Sequence, residues 1–254
     1  MTACFLCFIA SPVTLKWVVN PSYQRMEIRI MEKKTRIGFI GAGVLILLFV
    51  LLTVAVVTID VQPIGPEQSE VGLAAINGFV FRLFGVNLFW HQVSNWVGVV
   101  AFLVAGGFAA LGLVQLIKGK SMKRVDKDII ALGATYVVLI AVYALFEMIV
   151  INYRPIIIDG TLEASYPSSH TMIVVCIMTT AIIKFRTLLP HKAIRTAAII
   201  ASILVMAVVI ALRMISGVHW FTDIIGGLLL GASLFLLYSS VTNCIRHRDG
   251  AGDQ

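Results

Sequence analysis

The chain has 254 residues, of which 59% are hydrophobic and 13% charged. A soluble domain carries about 25% charged residues, so the composition excludes an ordinary soluble globule and points to an integral membrane protein. The net charge of +7 does not indicate nucleic acid, because the basic residues gather in short loops between apolar runs, as the positive-inside bias requires.

In chain order, residues 1–30 are neither a clean signal peptide nor a spanning helix, because Pro12, Lys16 and Pro21 interrupt them. Cys4 and Cys7 form a CxxC there, but without a second CxxC or a neighbouring His cluster a zinc site is not expected. Together with Cys176 and Cys244 they read as free thiols. "MEKKTR" from Met31 has the look of a natural start for a bacterial membrane protein. Residues 1–30 are therefore expected to be an N-terminal extension, misassigned or disordered, followed by a membrane domain over 31–245 and a cytoplasmic tail over 246–254.

Six runs are long and apolar enough to cross a bilayer: Ile37–Ile59, Val93–Ile117, Ile129–Ile151, Pro167–Phe185, Thr196–Ile215 and Phe221–Val241. The expected fold is an all-α six-transmembrane-helix bundle. Between runs one and two, "VGLAAINGFVFRLFGVNLFWHQ" reads as a short external helix lying in the interface, a lid or a structural cap, with Trp90 and Trp96 as belt residues. The short connection between runs five and six predicts a tight antiparallel pair. Gly227 and Gly231 give the sixth run a small-residue face for close packing.

Lys33, Lys34, Arg36, Lys118, Lys120, Lys123, Arg124, Lys127, Lys184, Arg186, Lys192, Arg195, Arg246 and Arg248 all fall on one side of this arrangement. That side is expected to be the cytoplasm, with both termini on it. On the other side stand Arg82, Arg154 and Arg213.

The outward side also collects unusual polar chemistry. Arg154 follows the third run, "YPSSH" (Tyr166 to His170) opens the fourth, Arg213 closes the fifth, and His219 and Asp223 open the sixth. Ionisable groups at membrane depth are rare and usually functional. His219 and Asp223 lie four residues apart, on one helical face, where a carboxylate can hold one imidazole nitrogen and leave the other free to attack. Ser168 and Ser169 precede His170 at a helix start, where backbone N–H groups favour an anion, although both serines could serve simply as caps. Arg154 and Arg213 suit bidentate contact with phosphoryl oxygens. His91 reads as a satisfied interface residue, and His191 and His247 as loop residues.

These residues resemble the type-2 phosphatidic acid phosphatase superfamily, whose motifs are Lys-x6-Arg-Pro, Pro-Ser-Gly-His and Ser-Arg-x5-His-x3-Asp. Here they read Glu147-x6-Arg154-Pro155, Pro167-Ser168-Ser169-His170 and Leu212-Arg213-x5-His219-x3-Asp223. The resemblance implies that His219 attacks phosphorus to form a phosphohistidine, that Asp223 orients it, and that His170 protonates the leaving oxygen and then activates water. It implies that Arg154, Arg213 and Ser168, with Ser169 in the glycine position, surround the phosphate, and that neither metal nor cofactor takes part.

Three departures stand out: Ser169 for glycine, Leu212 for serine and Glu147 for lysine. The last reverses a charge. Glu147 could be protonated, could face a cationic substrate group, or could pair with Arg154 or Arg213; the pairing is the expectation. With the Met31 start and the Lys and Arg asymmetry, the resemblance implies a bacterial, multi-pass membrane phosphatase acting at the outer face on a lipid phosphomonoester or pyrophosphate. Phosphatidic acid, phosphatidylglycerophosphate and isoprenoid pyrophosphate are the candidate substrates. A lipid phosphotransferase or head-group phosphodiesterase with the same histidines is the alternative, and a non-enzymatic phospholipid binder or translocator a third.

Overall fold

The computed structural model describes residues 21–252. Seven helices follow one another: α1 (Pro21–Thr58), α2 (Ala74–Phe84), α3 (Leu88–Gly119), α4 (Lys127–Met148), α5 (Ser169–Leu188), α6 (Lys192–Ile215) and α7 (Phe221–Gly252). All except α2 are long and apolar enough to span a membrane. The protein is therefore an all-α, multi-pass membrane bundle, and α2 is the expected short helix between the first two spans. The CxxC pair and residues 1–20 lie outside the described residues. Residues 21–30, placed by the sequence in an extension, are the first turns of α1, and residues 246–252 continue α7.

The helices are not equivalent. α5 and α7 are the most enclosed, whereas α1, α3, α4 and α6 turn most of their surface outward. Composition explains the difference. α5 is the least apolar span. It carries Thr171, Thr180 and Lys184, all buried, which need protein partners that lipid cannot supply. Tyr136 on α4 meets Thr180 at 3.0 Å, and Lys184 pairs with Asp126 at 3.1 Å.

One helix pairing differs from the sequence expectation. α7 packs chiefly on α1 and α5 and touches α6 only slightly, despite the short α6–α7 connection. Its glycine face goes to α5: a Cβ on Gly227 would fall 2.6 Å from the Ser168 carbonyl, and one on Gly231 would fall 2.8 Å from that of Met172. Backbone contact this close fits a small-residue seam. It takes the face that would otherwise be free for α6.

The α6–α7 turn is fixed instead by the segment before α3. Asn87 N–H donates to the Ser216 carbonyl at 3.0 Å. Gly217 has φ +64°, and its Cβ position lies 1.9 Å from the Gly85 carbonyl, so both conformation and space require glycine there. α2 anchors the same end through Asn77. Its Oδ1 accepts from Thr222 N–H at 3.1 Å, its Nδ2 donates to Thr222 Oγ1 at 3.0 Å, and together they cap the start of α7.

Candidate functional site

Every sequence-designated residue lies at the bundle end where α3, α5 and α7 begin and α4 and α6 finish. The third span ends three residues earlier than expected. α4 stops at Met148, and Arg154 stands on a loop closed by bridges between Tyr153 and Ala164 and between Ile158 and Thr161. Arg154 N–H donates to the Glu163 carbonyl at 3.0 Å. The same two residues form an ion pair, Nε to Oε2 at 3.0 Å. Glu163, not Glu147, is thus the carboxylate partner of Arg154. Glu147 is exposed and makes no ion pair among the described residues, so the expected pairing with an arginine is absent. Glu147 nevertheless lines a narrow cleft with Arg154, Ser169 and His219.

His219 stands in the turn two residues before α7 begins, not on the helical face that the spacing of four predicted, yet it still faces Asp223 in the first turn of that helix. Nδ1 of His219 lies 3.6 Å from Oδ2 of Asp223, beyond hydrogen-bond range but within reach of a small adjustment. The same Oδ2 accepts from Trp220 N–H at 2.8 Å, the reach-back half of a capping box. The Trp220 indole donates to the Tyr153 carbonyl at 2.7 Å, which ties the Arg154 loop to the start of α7. Asp223 is fully buried and His219 nearly so. Burial, and after it the charges of Arg154 and Arg213 and the nearby His170 and His91, hold the His219 imidazole well below its ordinary pKa. It stands as a neutral base.

Arg213 has no exposed surface. Nη1 donates to Nδ1 of His91 at 3.0 Å, and Nη2 donates to Oδ1 of Asn95. No carboxylate pairs with it among the described residues, and its Nε–H has no hydrogen-bond partner there. His91 and Asn95 were not legible as site residues. The signal available was two polar side chains four apart at the start of a membrane helix.

His170 occupies the first turn of α5, half-buried, with α3 so close that a Cβ on Gly98 would come within 3.7 Å of its ring. The two serines separate. Ser169 lines the cleft, while Ser168 is wholly buried behind it. Ser168 N–H donates to the Asp223 carbonyl at 2.9 Å, and its Oγ accepts from Thr171 Oγ1 at 3.1 Å. No side chain caps α5, so the N–H groups of its first turn remain available to an anion. Beneath, Tyr166 hydrogen-bonds Thr53 at 2.8 Å, and burial pushes its phenol up to about 12. No cluster of three His, Cys, Asp or Glu suited to a metal ion occurs among the described residues.

A polytopic helical bundle that gathers two arginines, two histidines and a buried aspartate at one end defines a class: membrane proteins whose polar end can offer several donors to an anion. Residues 147–246 match the family model described as the PAP2 superfamily, in agreement with the resemblance that the three motifs carry. The matched segment runs from the first motif position, Glu147, to Arg246 near the end of α7. Among solved structures, the chain is similar to the first transmembrane PAP2 type phosphatidylglycerolphosphate phosphatase from Bacillus subtilis. The TM-score is 0.57 at 17% identity, covering 80% of this chain and 96% of that one. This likeness establishes the shared fold. No curated protein matches the sequence significantly.

Proposed function

We propose that the protein is a membrane lipid phosphatase working through a phosphohistidine on His219. The observation that carries this reading is Arg213: a fully buried guanidinium held by two neutral side chains, beside a neutral histidine. A buried cation without a carboxylate is costly, and a phosphate dianion is the partner that the neighbouring groups suit.

In the proposed mechanism the substrate phosphate lies among Arg154, Arg213 and the first-turn N–H groups of α5, beginning at Ser169. Ser168 supports that turn from behind. The lone pair on Nε2 of His219 forms the N–P bond while the P–O bond to the lipid breaks. Asp223 holds the Nδ1 proton and stabilises the developing imidazolium. His170 delivers a proton to the departing oxygen. It then takes a proton from water, the water oxygen attacks phosphorus, the N–P bond breaks, and inorganic phosphate leaves. Fixed charges that need no reorganisation supply most of the stabilisation such a transfer requires.

Lys and Arg asymmetry supports placing the cleft at the outer membrane face with both termini in the cytoplasm. Glu147 favours a head group that can donate to a carboxylate. Phosphatidylglycerophosphate, with its glycerol hydroxyl, is therefore the proposed substrate, ahead of phosphatidic acid and isoprenoid pyrophosphate. The Bacillus subtilis protein of similar fold, a phosphatidylglycerolphosphate phosphatase, points to the same chemistry. The same carboxylate keeps a second reading in view, transfer of the phosphoryl group to a lipid hydroxyl. The test is phosphate release from each lipid by purified protein, with a lipid-alcohol acceptor present or absent. Loss of release in His219→Ala is expected, and full activity in that variant would refute the mechanism.

A further inference from the structure

At the opposite end of the bundle, about 34 Å from Asp223 along α7 by helical rise, a second polar pocket opens between the α3–α4 connection and the end of α7. Lys123, Arg124, Asp126, Asp128 and Arg246 line it. Its carboxylates are committed. Asp126 caps α4 through Asp128 N–H at 2.9 Å and pairs with buried Lys184, while Asp128 accepts from Arg246 Nε at 3.2 Å. Lys123 and Arg124 are exposed and form no ion pair among the described residues. The stem of Arg124 lies against Gly119, where a Cβ would fall 2.7 Å from its own Cβ, so its base is held while its head stays free.

This pocket does not stand alone. Val125 also lines an apolar groove between α3 and α4, continued by Leu116, Met122 and Ile129 and ending near Ala105 and Tyr136. The groove encloses about 480 Å³, within the range of about 300–1,000 Å³ usual for ligand sites. From Leu116 to Ala105 it runs about 16 Å along α3 by helical rise. That is close to one leaflet, half of a hydrocarbon core about 30 Å thick.

We propose that this joined pocket and groove bind one anionic phospholipid of the leaflet opposite the His219 cleft, with its head-group phosphate on Lys123 and Arg124 and an acyl chain along α3 and α4. Charge and length complementarity argue for the lipid together. A basic pocket between spans, at a surface where anionic lipids concentrate, recognises such head groups, and the groove beneath it is matched to one tail. The site is separate from the phosphatase reading and does not depend on it.

The test uses the full chain in nanodiscs of equal parts phosphatidylglycerol and phosphatidylcholine, with bound lipid identified by native mass spectrometry after release. The wild type should retain phosphatidylglycerol preferentially. Lys123→Ala with Arg124→Ala should reduce that preference about twenty-five-fold, since each basic residue near an anionic surface is worth about fivefold. Gly133→Leu, at a groove glycine whose Cβ would meet nothing within 4 Å, should displace the same lipid by filling the channel. Helix content by circular dichroism verifies folding, and Lys123→Glu alone serves if the double variant unfolds. Undiminished preference in the charge variants, or in folded Gly133→Leu, overturns the proposal. So does competition by glycerophosphate at concentrations like those of the lipid, which would make the pocket a free-anion site.

Discussion

Nη1 of Arg213 donates to Nδ1 of His91 at 3.0 Å, so this ring nitrogen must offer a lone pair and the neutral ring carries its proton on Nε2. A histidine on α3 thus fixes the tautomer and orientation that hold an arginine of α6, while Asn95 takes its other terminal nitrogen. Since the contact runs through Nδ1 and not through bulk alone, His91→Phe should keep the fold but release the guanidinium. We expect kcat/KM to fall about tenfold, equivalent to about 1.4 kcal/mol, mostly through KM, because in the proposed mechanism the arginine contacts ground state and transition state alike. His91→Gln, which can still accept a hydrogen bond, should recover part of the loss. A merely structural role for His91 would give lost stability without this split.

Glu147 makes a second prediction. It is exposed, free of ion pairs among the described residues, and shares a cleft with Arg154 and His219. Glu147→Lys would replace repulsion of a phosphate dianion by attraction. At an exposed site the change is screened, and about 1 kcal/mol for each sign is a reasonable scale. Phosphatidic acid should then turn over several-fold faster at low substrate, with a gain that shrinks as salt rises. Phosphatidylglycerophosphate should lose ground relative to phosphatidic acid if the carboxylate accepts from the glycerol hydroxyl. Parallel initial-rate measurements on both lipids at two salt concentrations check this. Equal changes for both lipids would exclude a role for Glu147 in choosing between them.

The spans were legible because they rest on local composition, about twenty apolar residues each. The closeness of His219 to Asp223 was legible from their short separation, although His219 reaches the carboxylate from the turn before α7 and not from a shared helical face. The position of Arg154 was less so, since three residues of apparent helix, Ile149 to Ile151, lie beyond the end of α4 and lead into the loop that the Tyr153–Ala164 bridge closes. The partners of the arginines were hidden for a different reason. Glu163 meets Arg154 only because the loop turns back at Ile158 and Thr161, and His91 meets Arg213 only because Gly217 lets two turns touch. Likewise the short α6–α7 loop suggested a pairing, but the glycine face of α7 found backbone to pack against on α5 instead.

The buried position of His219 sets a pH dependence. Its folded pKa lies well below the ordinary value, with burial the largest cause and Arg154 and Arg213 next. In the proposed mechanism the attacking form is the neutral imidazole, so the acid limb of kcat/KM should lie below about 6.5, the pKa of an unperturbed histidine. The stability contribution has the same sign. Below about 6.5 the unfolded chain binds a proton that the folded one refuses, so stability is present above that value and declines as pH falls towards the folded pKa. A pH–rate profile on one lipid, set beside melting temperatures over the same range, reads both. An acid limb at or above 6.5 in a still-folded protein would mean that another group governs it.

Gly227 connects packing to chemistry most directly. A Cβ there would fall 2.6 Å from the Ser168 carbonyl and 3.0 Å from Cβ of Thr171, and the first of these is backbone that cannot rotate aside. Gly227→Ala should therefore push α5 and α7 apart where Ser168 N–H meets the Asp223 carbonyl at 2.9 Å. Overpacking of this kind costs about 1–3 kcal/mol, so a lower melting temperature is expected. The separation also moves His170 and Ser169, on α5, relative to Asp223 on α7 and to His219 in the turn that leads into it. Misplacement of a reacting group by about 1 Å can cost about a hundredfold in rate, far more than the stability loss would suggest. Gly107→Ala, at an exposed glycine of α3 with open space around its Cβ position, is the matched control and should leave both quantities near wild type. If Gly227→Ala instead lowered stability while leaving kcat intact, the α5–α7 seam would hold the helices without setting the geometry of the site.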